Sequence, residues 1–310
     1  MIKRIGARRG VSLMEVLISI FVMTFGLLGL AALIPVGRFA IEETGKADRC
    51  GACGRAAMRE VKVRRMLGPD WDLPPNKRLV DWVGNPGSGG PFVIDPIGVD
   101  AGLGNSLGPL PRITLALRDA LGNAIPLDSI FRWRDDLKFH RPEDGQRPHP
   151  AIGNSGFLLE PDGSPQDQGY YTWFLTVTPA RGELGLEWAM KRNYAISVVV
   201  CFRRTLEPEP QANVTRFIGG GYGGGGVVLS GAVEVREGEW IMLCDAAECK
   251  WYRVVSVGQI PGANNTRLRL SGPDWDVNRN ANPQAVIPRS VVGVYSTAVE
   301  VERNPLWGAM

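Results

Sequence analysis

One segment constrains this chain more than any other: a long apolar run that follows a short basic stretch. From Val16 to Gly37 the sequence contains no charged residue and is rich in Leu, Ile, Val, Phe and Ala. A helix of about 20 apolar residues crosses the hydrocarbon core of a bilayer, whereas a cleavable secretory signal has an apolar core of only about 7–15 residues. The run therefore predicts a single membrane-spanning helix over about 14–37.

Charges on either side of this run predict its orientation. Residues 1–10 contain four basic residues and no acidic one, whereas Arg38 is followed closely by Glu42 and Glu43. Positive charge next to a membrane helix is retained on the cytoplasmic side. We therefore expect a cytoplasmic N-terminus, an exported bulk of the chain and location in the inner membrane.

An acidic residue lies directly before the uncharged run. Glu15 immediately precedes Val16, and an unpartnered ionised acid in hydrocarbon costs roughly 2.5–3.5 kcal/mol. A carboxylate at this position therefore needs a cationic partner.

The residues around Glu15 match a known processing signature. The segment 8–17, Arg-Arg-Gly-Val-Ser-Leu-Met-Glu-Val-Leu, resembles the start of type IV prepilins: a basic leader ending in Gly, an apolar residue, Ser or Thr, Leu, any residue, and Glu. The resemblance implies that a prepilin peptidase/N-methyltransferase cuts after Gly10 and methylates Val11, which replaces the usual Phe. It also implies that Glu15 pairs with the terminal amine of a neighbouring subunit.

The resemblance implies a structural function and not an enzymatic one. Gly26 to Ala31, Gly-Leu-Leu-Gly-Leu-Ala, is similar to the helix of PilV-type minor pilins and of minor pseudopilins. The expected function is that of a subunit of a type IV pilus or a type II secretion pseudopilus, with the bilayer and other pilin subunits as partners. The alternative is an unprocessed single-pass protein whose exported β domain binds a ligand.

Composition predicts the organisation of the exported part. With Gly 39 and Pro 23, many turns separate short elements, which favours a β-rich structure. We expect an α+β fold: a leader (1–10), a helix (11–67) packed on the antiparallel sheet of a pilin-like domain (68–210), a Gly-rich linker (211–226) and a small all-β C-terminal domain (227–310).

Two segments show the strongest strand pattern of the chain, and a third, rich in glycine, predicts a hinge. Residues 170–178 and 194–202 are rich in β-branched and aromatic residues and are expected to pair as antiparallel strands. Gly219 to Gly226 satisfies the spacing of a dinucleotide-binding loop but lacks the helix that would hold a pyrophosphate. It therefore predicts a flexible hinge that proteases cut to release a folded C-terminal domain.

Net charge argues against a nucleic-acid partner. The formal charge is +3, with 35 basic and 32 acidic residues, and four of the basic residues belong to residues 1–10. The rest of the chain is close to neutral, whereas nucleic-acid-binding domains carry a clear excess of basic residues. No nucleic acid is therefore expected.

The five cysteines form two close pairs and one single residue, Cys201. Cys244 and Cys249 are spaced for a local disulfide across a turn, and Cys50 and Cys53 are interpreted as small core residues. The alternative is a zinc site formed by all four paired cysteines.

Two further clusters contain side chains of the kinds found in metal or catalytic sites. Oxygen ligands alternate as in a calcium loop at Asp274, Asp276, Asn278, Asn280 and Asn282. The EF-hand pattern is broken by Arg279 and Ala285, which makes an Asx-rich turn the alternative and leaves calcium as the one candidate cofactor. His140 and His149 lie in a Pro-rich stretch that is expected to be an exposed loop without catalytic function.

Overall fold

A computed structural model describes most of the chain, in two compact units. The units are residues 1–49 and 50–310. The described residues are 12–67, 72–73, 77–78, 90–115, 117–118, 124–125, 130–133, 170–179, 191–204, 207–218, 225–245, 248–260, 264–275 and 283–302.

The first unit is the N-terminal part of a long helix, α1 (Leu13–Val63). Every side chain from Ser12 to Arg49 is exposed. The most apolar 18-residue window of α1 has a mean hydropathy of 2.5 with none of it buried, and α1 is long and apolar enough to span a membrane. The predicted apolar N-terminal helix is therefore confirmed.

The C-terminal part of α1 belongs to the second unit and has one buried face. Its buried apolar residues recur every three or four positions: Cys50, Cys53, Ala57 and Val61. This spacing places them on one side of a helix. The helix stops where Arg65 takes a left-handed φ of 50°, which helical residues do not adopt.

The strands of the second unit form one large sheet and one barrel. The six-stranded sheet has the order β16 (Val291–Glu302), β9 (Lys191–Phe202), β8 (Tyr171–Pro179), β3 (Phe92–Ile94), β5 (Leu110–Ile113) and β4 (Ser106–Leu107). The closed barrel has the order β10 (Gln211–Ile218), β11 (Gly226–Ser230), β14 (Asn265–Ser271), β13 (Cys249–Gln259), β12 (Trp240–Cys244) and β15 (Gln284–Val286). All of these pairings are antiparallel except that of β3 with β5.

Three small elements complete the described secondary structure. They are the pair β1 (Asp72–Leu73) and β2 (Lys77–Arg78), the pair β6 (Leu117–Arg118) and β7 (Ala124–Ile125), and the short helix α2 (Pro96–Asp100). Within the described residues, the chain is therefore one long helix followed by mostly β structure.

The six-stranded sheet is buried on both faces. On β8, Trp173 and Leu175 share a core with the end of α1, whereas Phe174 lies in a second core with residues of the barrel. Val198 and Val199 divide in the same way on β9. Alternate side chains of a strand point to opposite faces, and β8 is therefore buried continuously from Tyr171 to Thr178 and β9 from Val198 to Cys201.

The barrel has a core of its own. Its inward residues alternate with outward ones, most regularly on β14, where Thr266, Leu268 and Leu270 are buried and Arg267 and Arg269 are exposed. Side chains from all six strands fill the interior. The predicted C-terminal β structure is thus a barrel.

The predicted linker is wrong for residues 211–218. They form strand β10, which pairs with β11 from Val214 opposite Leu229 to Ile218 opposite Gly226. The Gly-rich stretch is therefore the connection within a hairpin, and the sequence before it is rich in the β-branched and aromatic residues that strands favour. Cleavage there would cut a hairpin of the barrel and would not separate two domains, so proteolytic release of a C-terminal domain is not expected.

The last strand departs from the prediction as well. The paired strands predicted at 170–178 and 194–202 are confirmed as β8 and β9. However, β16 leaves the barrel and pairs with β9, with Thr297 opposite Ile196 and Val301 opposite Arg192. The barrel is consequently inserted between two neighbouring strands of the sheet and is not a separate domain at the end of the chain.

Candidate functional site

The predicted assembly residue, Glu15, lies in the first turn of α1. Its backbone N–H donates to the Ser12 carbonyl at 2.9 Å, which begins the helix. The Ser19 hydroxyl donates to the Glu15 carbonyl at 2.8 Å. No basic side chain of the described residues forms an ion pair with the Glu15 carboxylate, and the processing residues Gly10 and Val11 lie outside the described residues.

The helix around Glu15 offers almost no other polar group to a partner. Leu13, Met14 and Leu17 are exposed to 79%, 69% and 57%. Thr24 is the next hydroxyl along the helix, and it donates to the Ile20 carbonyl at 2.6 Å. This local bond satisfies the hydroxyl without a partner helix, as apolar surroundings require. Glu15 is therefore the one acidic side chain on an otherwise apolar exposed surface.

A second site joins four charged residues of the second unit, of which Asp95 and Arg112 are buried and Arg204 and Glu209 are partly buried. Arg204 donates to both carboxylate oxygens of Asp95, at 2.7 and 2.6 Å. Arg112 contacts Asp95 at 3.2 Å through Nε and Glu209 at 2.8 Å through Nη2. The side chains of Arg112 and Asp95 are 0% and 1% exposed, so the centre of this network of two arginines and two carboxylates is buried.

Each member of this cluster is held by a different element. Asp95 follows β3, and its Oδ1 accepts a hydrogen bond from the Gly98 N–H at 2.9 Å, which caps α2. A Cβ on Gly98 would lie 2.1 Å from an oxygen of Asp95, so the cap needs glycine there. Arg112 lies on β5 and also donates to the Leu103 carbonyl at 3.1 Å.

The electrostatics of the cluster favour the charged form of Arg204. Burial lowers the pKa of Arg204, but its hydrogen bonds to Asp95 and the charge of that carboxylate outweigh burial and raise the pKa. Nearby, burial raises the pKa of the Cys201 thiol to about 12, although the charge of Arg204 lowers it. Each charge has a partner of opposite sign, so the cluster offers fixed contacts between elements and no free acid, base or nucleophile.

Sequence reasoning missed this cluster. Its members are far apart in the chain, and only Arg204 and Glu209 lie close enough to suggest a contact. A small surface pocket borders it, lined among others by Phe174, Arg204 and Pro288. The sequence contains no signal that links Asp95 with Arg112.

The four paired cysteines do not form a metal site. Cys50 and Cys53 are buried in the core between α1 and the sheet, whereas Cys244 and Cys249 are buried in the core between the sheet and the barrel. The two pairs therefore lie on opposite faces of the sheet, and the zinc alternative is wrong. Among the described residues no group of three or more metal-binding side chains occurs.

The predicted disulfide is also absent from this structure. Cys244 and Cys249 are directly opposite each other on β12 and β13, and no disulfide links any of the five cysteines, all of which are described. The Cys244 thiol donates to the Gln284 carbonyl at 3.6 Å. Burial raises the pKa of both thiols, which keeps them protonated and poorly nucleophilic. Cys50 and Cys53 are core residues, as predicted.

Most of the calcium candidate lies outside the described residues. That applies to Asp276, Asn278, Asn280 and Asn282, and also to His140 and His149. Asp274 is described, and its carbonyl accepts a hydrogen bond from the Lys250 ammonium at 2.6 Å. The positively charged side chain of Lys250 therefore already occupies this part of the turn.

Comparison with known proteins gives no relative. No family model matches the chain, and neither a curated protein nor a solved structure does.

Proposed function

We propose that this chain is a structural subunit of a type IV pilin-like filament, a minor pilin or pseudopilin made as a prepilin. The observation that carries the proposal is the carboxylate of Glu15, placed in the first turn of an exposed apolar helix and five residues after Gly10. A long helix whose C-terminal part packs on an antiparallel sheet is the architecture that such a subunit needs.

The chemistry of Glu15 explains the need for processing. Cleavage after Gly10 would turn the Val11 amide into an α-amine, and N-methylation would leave that amine basic. Two unit charges about 4 Å apart attract by about 4 kcal/mol at an effective dielectric constant of about 20. The amine of one subunit and Glu15 of the next would then neutralise each other among apolar helices and align them in register.

Location and partners follow from the same proposal. The subunit is held in the inner membrane by α1, with its basic N-terminus in the cytoplasm and residues 50–310 exported. Its partners are the prepilin peptidase/N-methyltransferase, the bilayer and other pilin or pseudopilin subunits. Its work is filament assembly, and it needs no catalytic residue.

The second candidate is a single-pass anchored protein that is never processed. The specific observation in its favour is the closed barrel, a compact module with its own core. Both candidates share the membrane helix, and they differ in whether the bond after Gly10 is cut.

Mass spectrometry of the purified protein separates the two candidates. We expect a mature N-terminus at Val11 carrying one additional methyl group. An intact Met1 in cells that contain an active prepilin peptidase would reject the proposal and favour the unprocessed anchor.

A substitution tests the role of the carboxylate itself. Glu15→Gln keeps the size and hydrogen-bonding capacity but removes the charge that attracts an amine. We expect normal cleavage and membrane insertion but at least a tenfold loss of the subunit from sheared filaments, measured by immunoblot.

The matched control for this experiment is Glu42→Gln, on the same helix but beyond the apolar run. It removes the same charge and should enter filaments normally. Equal incorporation of Glu15→Gln and wild type would refute the ion-pair function of Glu15.

A further inference from the structure

The strands of the barrel have a strongly uneven charge. Acidic residues of the described barrel lie in its loops, whereas its six strands contain none. The strands carry five basic residues: Arg216, Lys250, Arg253, Arg267 and Arg269. Overall neutrality of the chain therefore conceals a local excess of positive charge.

Three of these arginines share one outward face. Arg216 on β10 and Arg267 on β14 are both in register with Val228 of the intervening strand β11. Arg269 lies two residues further along β14, opposite Gly226. Residues in register on neighbouring strands point to the same face, so Arg216, Arg267 and Arg269 form one surface, which we call the arginine face.

Strand geometry gives the spacing of this face. Two residues along a strand span about 6.8 Å, and two strand separations span about 9.6 Å. Arg267 and Arg269 are therefore about 6.8 Å apart along β14, and Arg216 lies about 9.6 Å from Arg267 across β11. Three guanidinium groups therefore project from an area roughly 10 Å across.

Among the residues that the structure describes, the arginine face has no counter-charge. All three arginines are exposed, and within the described part of the chain no carboxylate forms an ion pair with any of them. Lys250 differs, because its ammonium lies 2.5 Å from Glu248. Like charges held close together on a sheet destabilise it, so this arrangement has a cost that an external anion would remove.

The kind of charged group favours oxyanions. A guanidinium donates two parallel hydrogen bonds to phosphate or carboxylate, which the ammonium of lysine does not. The residues in register beside the arginines on the neighbouring strands include three with short or no side chains, namely Gly226, Val228 and Gly258. An extended ligand with regularly spaced phosphates can reach all three guanidinium groups at once.

The side chains around the arginines reduce the number of ligand classes that fit this surface. Proteins that bind single strands stack bases on exposed aromatic rings, but Phe217 and Trp275 pack against the barrel core. Binding to a lipid surface draws on inserted apolar side chains, and few are exposed here: Ile218 is half-buried, Val228 is 4% exposed, and Val255, at the bulge of β13 beside Arg269, is 50% exposed. Contacts with a phosphate backbone are what this surface supports.

We propose that the arginine face binds the phosphate backbone of duplex nucleic acid, independently of its sequence. This amends the expectation drawn from overall charge, because binding depends on the local field and not on the sum over the chain. It does not rest on the proposed function, since neither processing nor filament assembly is needed for the contact.

The test uses the full-length protein in a neutral detergent and a fluorescently labelled 20-bp DNA duplex, followed by anisotropy. Neutralising about three phosphates predicts a slope near −2.7 for log K against log salt concentration. The triple variant Arg216→Gln, Arg267→Gln, Arg269→Gln should bind at least tenfold more weakly at low salt. Each single variant should reduce the slope by about 0.9.

The matched control removes the same three charges from exposed positions outside the barrel: Arg55→Gln, Arg59→Gln, Arg65→Gln. It should bind within about twofold of wild type. Equal weakening by both triple variants would show that binding follows net charge alone and would overturn the proposal.

Two further outcomes also decide the matter. Absence of duplex binding by folded wild-type protein at 50 mM salt would overturn the proposal. In a competition experiment, anionic mixed micelles and unlabelled duplex are compared by the phosphate concentration at which each displaces the labelled duplex. Displacement by micelles at the lower phosphate concentration would overturn the proposal and assign the face to lipid headgroups. Urea unfolding within about 0.5 kcal/mol of wild type would show that the triple variant retains its fold.

Discussion

The two faces of the six-stranded sheet are covered in different ways. On the face that packs against α1, the contact with the helix is made mostly by apolar side chains and aromatic rings, and it includes a weak polar contact between the Cys50 thiol and the Tyr295 hydroxyl at 3.6 Å. The face that packs against the barrel is joined to it by stronger polar bonds. There, the Trp251 indole donates to the Thr176 hydroxyl at 3.0 Å and the Thr178 hydroxyl donates to the Cys249 carbonyl at 3.3 Å.

The difference shows what each contact depends on. The helix face depends on shape, because the attraction between apolar groups has no preferred direction, and voids or steric overlaps reduce the stability that packing provides. The barrel face depends in addition on pairing, since a buried polar group that loses its partner pays the full cost of desolvation. The charged cluster of Asp95, Arg112, Arg204 and Glu209 extends this pairing, because Glu209 lies two residues before Gln211, where the barrel strand β10 begins.

The largest expected effect is at the charged cluster. Arg112→Ala removes one cation and leaves Asp95 and Glu209 with fewer partners in a buried position. We expect a loss of about 3–5 kcal/mol in the free energy of unfolding, the usual cost of a broken buried ion pair. Urea denaturation followed by tryptophan fluorescence measures it.

The control for Arg112 is Arg236→Ala, because the Arg236 side chain is 79% exposed. Its effect should stay within about 0.5 kcal/mol. If Arg112→Ala cost no more than this control, pairing would not be what distinguishes the barrel face.

An intermediate effect is expected on the helix face, where shape decides. A Cβ on Gly54 would lie 2.2 Å from the Tyr295 ring, so Gly54→Ala forces the helix and β16 apart. We expect a loss of about 1–3 kcal/mol from this overlap, measured by the same urea titration.

Two variants check that the cause is steric. Gly45→Ala lies on the same helix with nothing within 4 Å of the added Cβ, and it should be neutral or stabilising by up to about 1 kcal/mol, since alanine favours helix over glycine. Combining Gly54→Ala with Tyr295→Leu should recover part of the loss. Failure of the smaller side chain to recover any stability would argue against overlap as the cause.

Local sequence patterns predicted the local structure well, but they did not predict which distant strands pair. The apolar helix and the strands at Tyr171–Pro179 and Lys191–Phe202 follow from residues that are neighbours in the chain. The return of β16 to β9 depends on partners about a hundred residues apart, such as Ser296 opposite Ser197. Nothing in the composition of either strand specifies that choice, because both fit any antiparallel sheet.

The same limit applies to the sites. Glu15 could be singled out from the sequence because its expected function depends on the residues next to it in the chain, and that function stays a prediction. The contact between Asp95 and Arg112 forms only when β3 and β5 become neighbours. A Gly-rich stretch is ambiguous for the same reason, because its sequence fits a linker between domains and a hairpin connection equally well. Only the register of β10 with β11 distinguishes the two.

The smallest expected effect concerns the polar contact between Trp251 and Thr176. Trp251→Phe keeps an aromatic ring in a position that is 4% exposed but removes the indole donor, and Thr176→Val removes the acceptor. A neutral hydrogen bond contributes about 0.5–1.5 kcal/mol, while the smaller ring adds a packing loss of its own. The coupling energy of a double-mutant cycle separates the two contributions, since only the hydrogen bond is shared by both residues. We expect a coupling of about 1 kcal/mol from urea titrations of the four proteins. A coupling near zero would mean that the barrel, like the helix, is held on the sheet by shape at this point, and that pairing acts at other points such as the charged cluster.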